Sequence, residues 1–332
     1  MKILLSHGDG GLLTHDLIDG VFREAFNDAA LQEQNDAAVM PVQAGYMAIT
    51  TDSFVIHPLE FPGGDIGKLA VAGTVNDLAV SGAVPAYMSV GFILEEGLDI
   101  ALLKKITASL AATAREAGVR IVAGDTKVVE KGKCDGMYIN TTGIGFIERP
   151  ERLGYNRIQP GDRIIINGGI AEHGVAVLGE RAGITFDPPL PSDCRPLNRL
   201  IVPLLEQFPS IRFMRDPTRG GVATTLKEIA VSAGVRMVLD EELLPIQPHV
   251  RGALELLGMD PLYLANEGKV LMIVAEEEAA GVVDHMRKHP DYRLAAVIGK
   301  VEAGHGEVIL QTALGGAREL QMLSGTPLPR IC

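Results

Sequence analysis

Tryptophan is absent from this chain, and aromatic residues account for 5% of its 332 positions. So few rings argue against an aromatic-lined binding face, and the 38 glycines point instead to close backbone packing and glycine-rich turns. Cysteine is nearly as scarce. Cys134, Cys194 and Cys332 are far apart and odd in number. They form no Cys-x-x-Cys pair, so neither a zinc site nor a disulfide scaffold is indicated, which suits a reducing cytoplasm. Basic charge is in deficit, with 30 Lys and Arg against 42 Asp and Glu and a net charge of −12. No basic stripe can neutralise phosphates, so no nucleic-acid partner is expected. No uncharged apolar run approaches the length of a membrane span. Met1–Ser6 also holds too short an apolar run for a signal peptide. The expected compartment is the cytoplasm.

A true Walker loop is also missing. Gly63-Gly64-Asp65-Ile66-Gly67-Lys68 looks like one, but its glycine spacing is one residue short. Leu69 stands where a magnesium-binding Ser or Thr belongs. Asp65 reads instead as the N-cap of a helix that runs through Ala70, Ala72, Gly73, Asn76, Asp77 and Ala79 to Gly82. Its small residues let another backbone approach closely.

What is present is an alternation of strands and helices in both halves, which implies α/β or α+β domains. The length suggests two domains, and a 47% hydrophobic content is enough to bury their cores. In the first half, residues 46–51, 86–94, 119–123 and 137–146 read as strands. A helix is expected over Leu17–Ala25, and another is capped by Asp99 and stopped at Gly118. Arg149-Pro150 suggests a boundary, giving domains 1–150 and 151–323 and a tail 324–332. In the second half, residues 163–167, 236–239 and 270–275 read as strands. A short helix follows Glu172-His173, with His173 as a structural histidine at its start. Asp193 reads as the cap of a helix through Leu197–Leu205, and further helices follow Gly221 and lie near 249–257. One more helix and two strands complete the domain.

The surplus is in the acids. Asp52 closes a strand, Asp125 follows one within Gly124-Asp125-Thr126-Lys127, and Asp36, Asp77 and Asp216 lie in turns or in the small-residue helix. Strand ends open into clefts, although an Asx turn or a cap explains any one such aspartate. Magnesium takes one or two carboxylates together with waters and substrate phosphates. Scattered aspartates without Walker spacing therefore suggest a magnesium–ATP site of another kind. His7-Gly8-Asp9-Gly10-Gly11 is either a loop that closes on an anion or a plain turn. Asp216-Pro217-Thr218-Arg219-Gly220-Gly221 is either a phosphate-holding helix start or a capping loop.

The chain ends in Pro327-Leu328-Pro329-Arg330-Ile331-Cys332. The prolines forbid a helix there, so a flexible tail is expected whose thiol can reach a distant pocket and leave it. Arg330 favours the thiolate and the terminal carboxylate disfavours it, so a pocket must activate the sulfur. The plain alternative is an incidental residue in a frayed terminus.

Asp52-Ser53-Phe54-Val55, Phe61-Pro62-Gly63-Gly64, Asn76-Asp77-Leu78-Ala79, Gly124–Lys127, Asp216–Gly221, Asn266-Glu267-Gly268-Lys269 and the terminal Pro-Arg-Ile-Cys together closely resemble the HypE family of hydrogenase maturation factors. The likeness spans essentially the whole chain, with Asp9 where a serine is more usual. The family lies in the aminoimidazole ribonucleotide synthetase and selenophosphate synthetase superfamily. The resemblance implies a two-domain α/β fold, a homodimer built through the first domain and an ATP cleft near that interface. It further implies that a HypF-like carbamoyltransferase loads the C-terminal cysteine with a carbamoyl group. ATP-dependent dehydration then gives a thiocyanate, and cyanide passes to iron on a HypC–HypD-like scaffold. On this reading Cys332 carries the group, Glu267 is the base, Lys127 steadies the phosphoryl group or carboxamide oxygen, and Arg219 pairs with phosphate. Asp52, Thr74, Asn76, Gly124 and Asp125 line the nucleotide pocket, and Asp36, Asp77 and Asp216 hold Mg2+. Two rivals are a selenophosphate- or purine-type synthetase and a non-enzymatic carrier that presents Cys332. The first expects a Cys or selenocysteine in the loop His7–Gly11, which has none. The second predicts no ATP hydrolysis.

Overall fold

The computed structural model describes residues 11–17, 38–42, 45–149 and 152–323. The expected helix over 17–25 apart from Leu17, the His7–Gly10 part of the loop, Asp36, Pro150 and the tail with Cys332 lie outside them.

The first half is a five-stranded sheet covered on one face by two helices. Its strands are β1 (Ala38–Val42), β2 (Gly45–Phe54), β5 (Val84–Glu95), β6 (Arg120–Val129) and β7 (Met137–Ile147), in the order β1-β2-β7-β5-β6. A small ribbon, β3 (Glu60–Phe61) and β4 (Gly64–Asp65), precedes the covering helix α2 (Ile66–Val80). Asp65 caps α2, accepting from the N–H groups of Gly67 at 2.8 Å and Lys68 at 2.9 Å. Almost every residue of α2 is buried, as its small side chains predict. At Gly67 a Cβ would sit 2.5 Å from the carbonyl oxygen of Ile106, so only glycine lets α2 lie this close to α3 (Ile100–Ala117). Asp99 caps α3 and Gly118, at φ +74°, ends it. α3 is the crossover that makes β5 and β6 parallel.

One expectation is corrected here. Gly124–Lys127 do not follow a strand. They lie inside β6, which stays paired with β5 as far as Val129. Glycine and aspartate are poor strand formers, and the edge pairing overrides that preference. β6 is an outer strand that leaves Ile121, Val122 and Val128 exposed.

The second half is built on a seven-stranded sheet in the order β14-β13-β10-β12-β8-β11-β9. Its strands are β8 (Arg163–Ile166), β9 (Ile211–Arg215), β10 (Val235–Asp240), β11 (Leu271–Val274), β12 (Ala296–Ala303), β13 (Val308–Gln311) and β14 (Ala317–Glu319). β9 and β14 were not expected. Successive residues of the central strands point to opposite faces, and the two faces fill different cores. Ile164, Ile166, Leu271 and Ile273 join a core shared with α4 (Glu172–Ala182), α6 (Gly221–Ala233) and α7 (Pro248–Leu257). Ile165, Met272 and Val274 pack under α5 (Asn198–Gln207) and α8 (Glu276–Arg287). The first of these cores runs on into the first half through Phe54, Leu69 and Val71, so the two halves meet along a packed seam. A short helix, α1 (Leu12–Leu17), donates from Leu12 N–H to the Leu323 carbonyl at 2.9 Å. No described helix is long and apolar enough to cross a membrane.

Candidate active site

The seam is where acidic side chains converge. Three loops of the second half meet there. One follows β9 (Asp216–Gly220), one precedes α4, and one precedes β11 (Leu264–Val270). Asn266, fully buried, ties them together. Its Nδ2 donates to the carbonyls of Pro217 at 3.1 Å and Leu264 at 3.0 Å, and its Oδ1 accepts from Ala171 N–H at 2.8 Å. Ala171 is held at φ +74°, a left-handed conformation unusual for alanine.

The next residue is Glu267, which is 3% exposed. Among the described residues its Oε1 meets no hydrogen-bond donor. Burial pushes this carboxyl well above the ordinary range, and the nearby charges of Asp216, Asp193 and Asp52 push it further. Arg219 pulls the other way. The structure therefore gathers four of the residues expected from sequence around one point: Asp52 from the first half, and Asp216, Arg219 and Glu267 from the second. Asp52, half-buried near the end of β2, also titrates above its usual range through burial, which Arg219 partly offsets. Asn140 on β7 steadies this strand end by donating to the Asp52 carbonyl and to Ser53 Oγ, each at 2.9 Å.

Asn76 reaches the same point in another way. Its Nδ2 donates to the carbonyls of Arg195 at 3.1 Å and Glu267 at 3.3 Å, and its Oδ1 accepts from Leu197 N–H at 2.7 Å. The amide is thus spent on three backbone groups of the second half, locking α2 to the loop that carries Glu267. Thr74 is fully buried and shares a hydrogen bond with Thr141 on β7. Asp77 is half-buried and accepts from Thr50 Oγ1 at 2.9 Å. Gly124, Asp125 and Lys127 sit exposed on β6, where Lys127 Nζ pairs with Asp125 at 2.8 Å.

Asp193 corrects a second expectation. It does not cap α5, which begins after Leu197 without a side-chain cap. Its Oδ1 accepts from Glu267 N–H at 3.2 Å and its Oδ2 from Gly268 N–H at 3.1 Å. The approach is so close that a Cβ on Gly268 would lie 1.9 Å from the Asp193 carbonyl oxygen. Lys269 Nζ then bridges Asp193 at 3.0 Å and Glu172 at 2.9 Å, inside the protein. Lys269 and Glu172 carry no role expected from sequence, and Asp193 none beyond that cap. One signal was available: Lys269 stands directly before the apolar run Val270–Val274, where an ammonium entering a core must find a carboxylate.

His173 is buried, with Nδ1 hydrogen-bonded to Ser192 Oγ at 2.8 Å and its ring edge-on to Phe61, in keeping with a structural histidine. Cys134 and Cys194 are free and buried. Burial, followed by the charge of Glu267, pushes the Cys194 thiol well up, so it is not a reactive thiolate.

Among the described residues no three His, Cys, Asp or Glu side chains form a ready-made metal cluster. Asp52 and Asp216 place two carboxylates, and Arg219 a guanidinium, at the seam.

Residues 34–147 match the model of the AIR synthase related protein N-terminal domain, and residues 159–311 that of its C-terminal domain. Carbamoyl dehydratase HypE of Rhodobacter capsulatus is 47% identical over 334 residues, covering 100% of this chain and 98% of that protein. A solved hydrogenase maturation protein HypE in complex with ATP superposes with a TM-score of 0.84 at 46% identity, over 100% of both chains. A chain from a HypE–HypF complex superposes with a TM-score of 0.86 at 45% identity, over 92% of this chain and 99% of that one.

Proposed function

The chain belongs to the carbamoyl dehydratase HypE family, and from that premise we propose that it dehydrates an S-carbamoyl group on its own Cys332 to a thiocyanate, at the expense of ATP. The observation that carries this reading is the Glu267 carboxyl, buried at the seam between the halves with a strongly raised proton affinity and an unbonded oxygen.

The chemistry needs such a group. Turning S–C(=O)–NH2 into S–C≡N removes one oxygen and two N–H protons, and hydroxide leaves poorly. ATP with magnesium supplies a phosphoryl group to the carboxamide oxygen, so that the oxygen departs in phosphate. The chain's own residues supply the rest. Glu267 accepts N–H protons, and its burial makes it a stronger base than an exposed carboxylate. Arg219 and Lys127 face the phosphoryl charge, Asp36, Asp77 and Asp216 would hold the metal, and Asp52 lines the nucleotide pocket. Asp125 and Gly124 line the nucleotide pocket from β6, and Thr74 and Asn76 support it from α2. The terminal segment 324–332 delivers Cys332 to the seam.

A HypF-like carbamoyltransferase is the donor of the carbamoyl group, and a HypC–HypD-like scaffold is the acceptor of cyanide for a [NiFe]-hydrogenase. A second copy of the chain covers β6, whose exposed Ile121, Val122 and Val128 form an unprotected edge. The dimer is thereby built through residues 1–150, with 151–323 as the second domain.

The test is the mass of the tail peptide after the terminal thiol has been carbamoylated and Mg-ATP added. ATP-dependent loss of one water from the Cys332 adduct is expected. An adduct unchanged in the presence of Mg-ATP would show a carrier rather than an enzyme.

A further inference from the structure

Asp193 and Lys269, which are buried, and Glu172, which is half-buried, form a charged chain that takes no direct part in that chemistry. Ionised groups are rarely kept inside a protein unless paired, and the desolvation they incur is seldom recovered as stability. Their placement gives them another use. Asp193 is 3% exposed and accepts both consecutive N–H groups of Glu267 and Gly268, one on each carboxylate oxygen. Two charge-assisted bonds from one rigid carboxylate fix the orientation of that peptide. The carboxylate is itself held by Lys269, two residues beyond Glu267, and Lys269 is held in turn by Glu172. Gln247 Nε2 donates to the same Glu172. The Glu267 carbonyl is tied from the opposite side by Asn76. Both backbone polar groups of Glu267 are therefore fixed by side chains from distant segments, while its Oε1 carries no bond among the described residues. A loop held in this manner keeps a base in place before substrate arrives.

We propose that Asp193, braced by the Lys269–Glu172 pair, is a positioning residue for the dehydration step, acting solely through Glu267. The proposal rests on the reading of Glu267 as the base. The carboxylate does not touch substrate. It holds the Glu267–Gly268 peptide so that the side chain faces the carbamoylated thiol.

A double-mutant cycle on the full chain separates this role from general support of the fold. Asp193→Asn, Glu267→Gln and the double variant are carbamoylated on Cys332 and mixed with Mg-ATP. The single-turnover rate of water loss and the KM for ATP are then read. Asp193→Asn is expected to slow dehydration about 10-fold or more, as loss of an orienting partner commonly does, with KM for ATP unchanged. In the Glu267→Gln background it is expected to cost nothing further. An unchanged rate in the single variant, or an equal additional loss in the Glu267→Gln background, would overturn the proposal. Normal turnover by Glu267→Gln alone would instead remove the base itself, a different failure. If Asp193→Asn gives no cooperative melt, Glu172→Gln takes its place in the same cycle. It is expected to give a smaller loss that also vanishes without Glu267, and additivity there counts against the proposal in the same way.

Discussion

Two lysines of this chain stand in nearly the same local sequence and in opposite physical settings. Gly124-Asp125-Thr126-Lys127 and Asn266-Glu267-Gly268-Lys269 each combine an acid, a glycine and a lysine, the first within β6 and the second at the entrance to β11. On β6 the Lys127 and Asp125 side chains are 69% and 67% exposed and pair with one another across solvent. At the entrance to β11, Lys269 and Asp193 are 8% and 1% exposed. In the loop around Lys269 the Glu267 N–H and carbonyl, the Gly268 N–H and the Lys269 ammonium are all held by residues from elsewhere in the sequence. The segment around Lys127 lies on an open edge beside exposed apolar residues. One set of charges is closed inside the fold and the other is open to what the fold meets.

The largest expected effect tests the closed loop. Lys269→Met removes one cation and leaves the buried Asp193 and the half-buried Glu172 together without it. Breaking a buried pair from one side costs about 3–5 kcal/mol, so the urea midpoint should fall steeply. Burial raises the Asp193 carboxyl, but the charges of Lys269 and His173 and the Glu267 N–H outweigh it and hold the group below its ordinary range, so this contribution is present at neutral pH. It fades as pH falls through the depressed native value of Asp193. A loss under about 1 kcal/mol would mean that the pair is no more than a surface bridge.

The second effect is smaller and has a definite sign. Glu267 titrates well above its ordinary range in the native protein. The folded state therefore binds its proton more tightly than the unfolded state does. That preference is fully present below the unfolded value and is lost as pH rises through the raised native one. Glu267→Gln keeps the shape and abolishes the titration. Its stability is expected to stay flat over the interval in which the parent protein's declines. Parallel curves for the two proteins would show that Glu267 has an ordinary carboxyl.

The same contrast shows what a single sequence makes legible. Asp65, Asp99 and Gly118 announced their roles because a cap acts within a few residues of itself. The acids at the seam stood out by residue type and by their place beside turns and strand ends. Asp193 misled for the same local reason. An aspartate four residues ahead of a leucine-rich helix looks like a cap, whereas its partners are the N–H groups of Glu267 and Gly268, more than seventy positions later. Asn76 was placed at the nucleotide, yet its amide is taken up by backbone groups of residues 195, 197 and 267. Long-range satisfaction of backbone groups leaves no spacing pattern, so the closed loop was hidden and the open one was visible.

The smallest effect on stability is expected where the effect on chemistry is large. Lys127→Met breaks a solvated pair, and such pairs contribute a few tenths of a kcal/mol at most sites. Thermal melts of the variant and parent should nearly coincide. If the Lys127 ammonium faces the phosphoryl group or the carboxamide oxygen, its loss should slow dehydration about 100-fold or more, as removal of a charge-stabilising donor does. Carbamoyl loading of Cys332 should be unchanged. Slow turnover with an intact melt would place Lys127 in the chemistry and not in the fold, the reverse of Lys269. A melt lowered as far as that of Lys269→Met would dissolve the distinction, because the edge strand would then be as finished as the loop at the seam. Unchanged turnover would leave β6 as an edge for a second copy and move the phosphoryl contact to Arg219 alone.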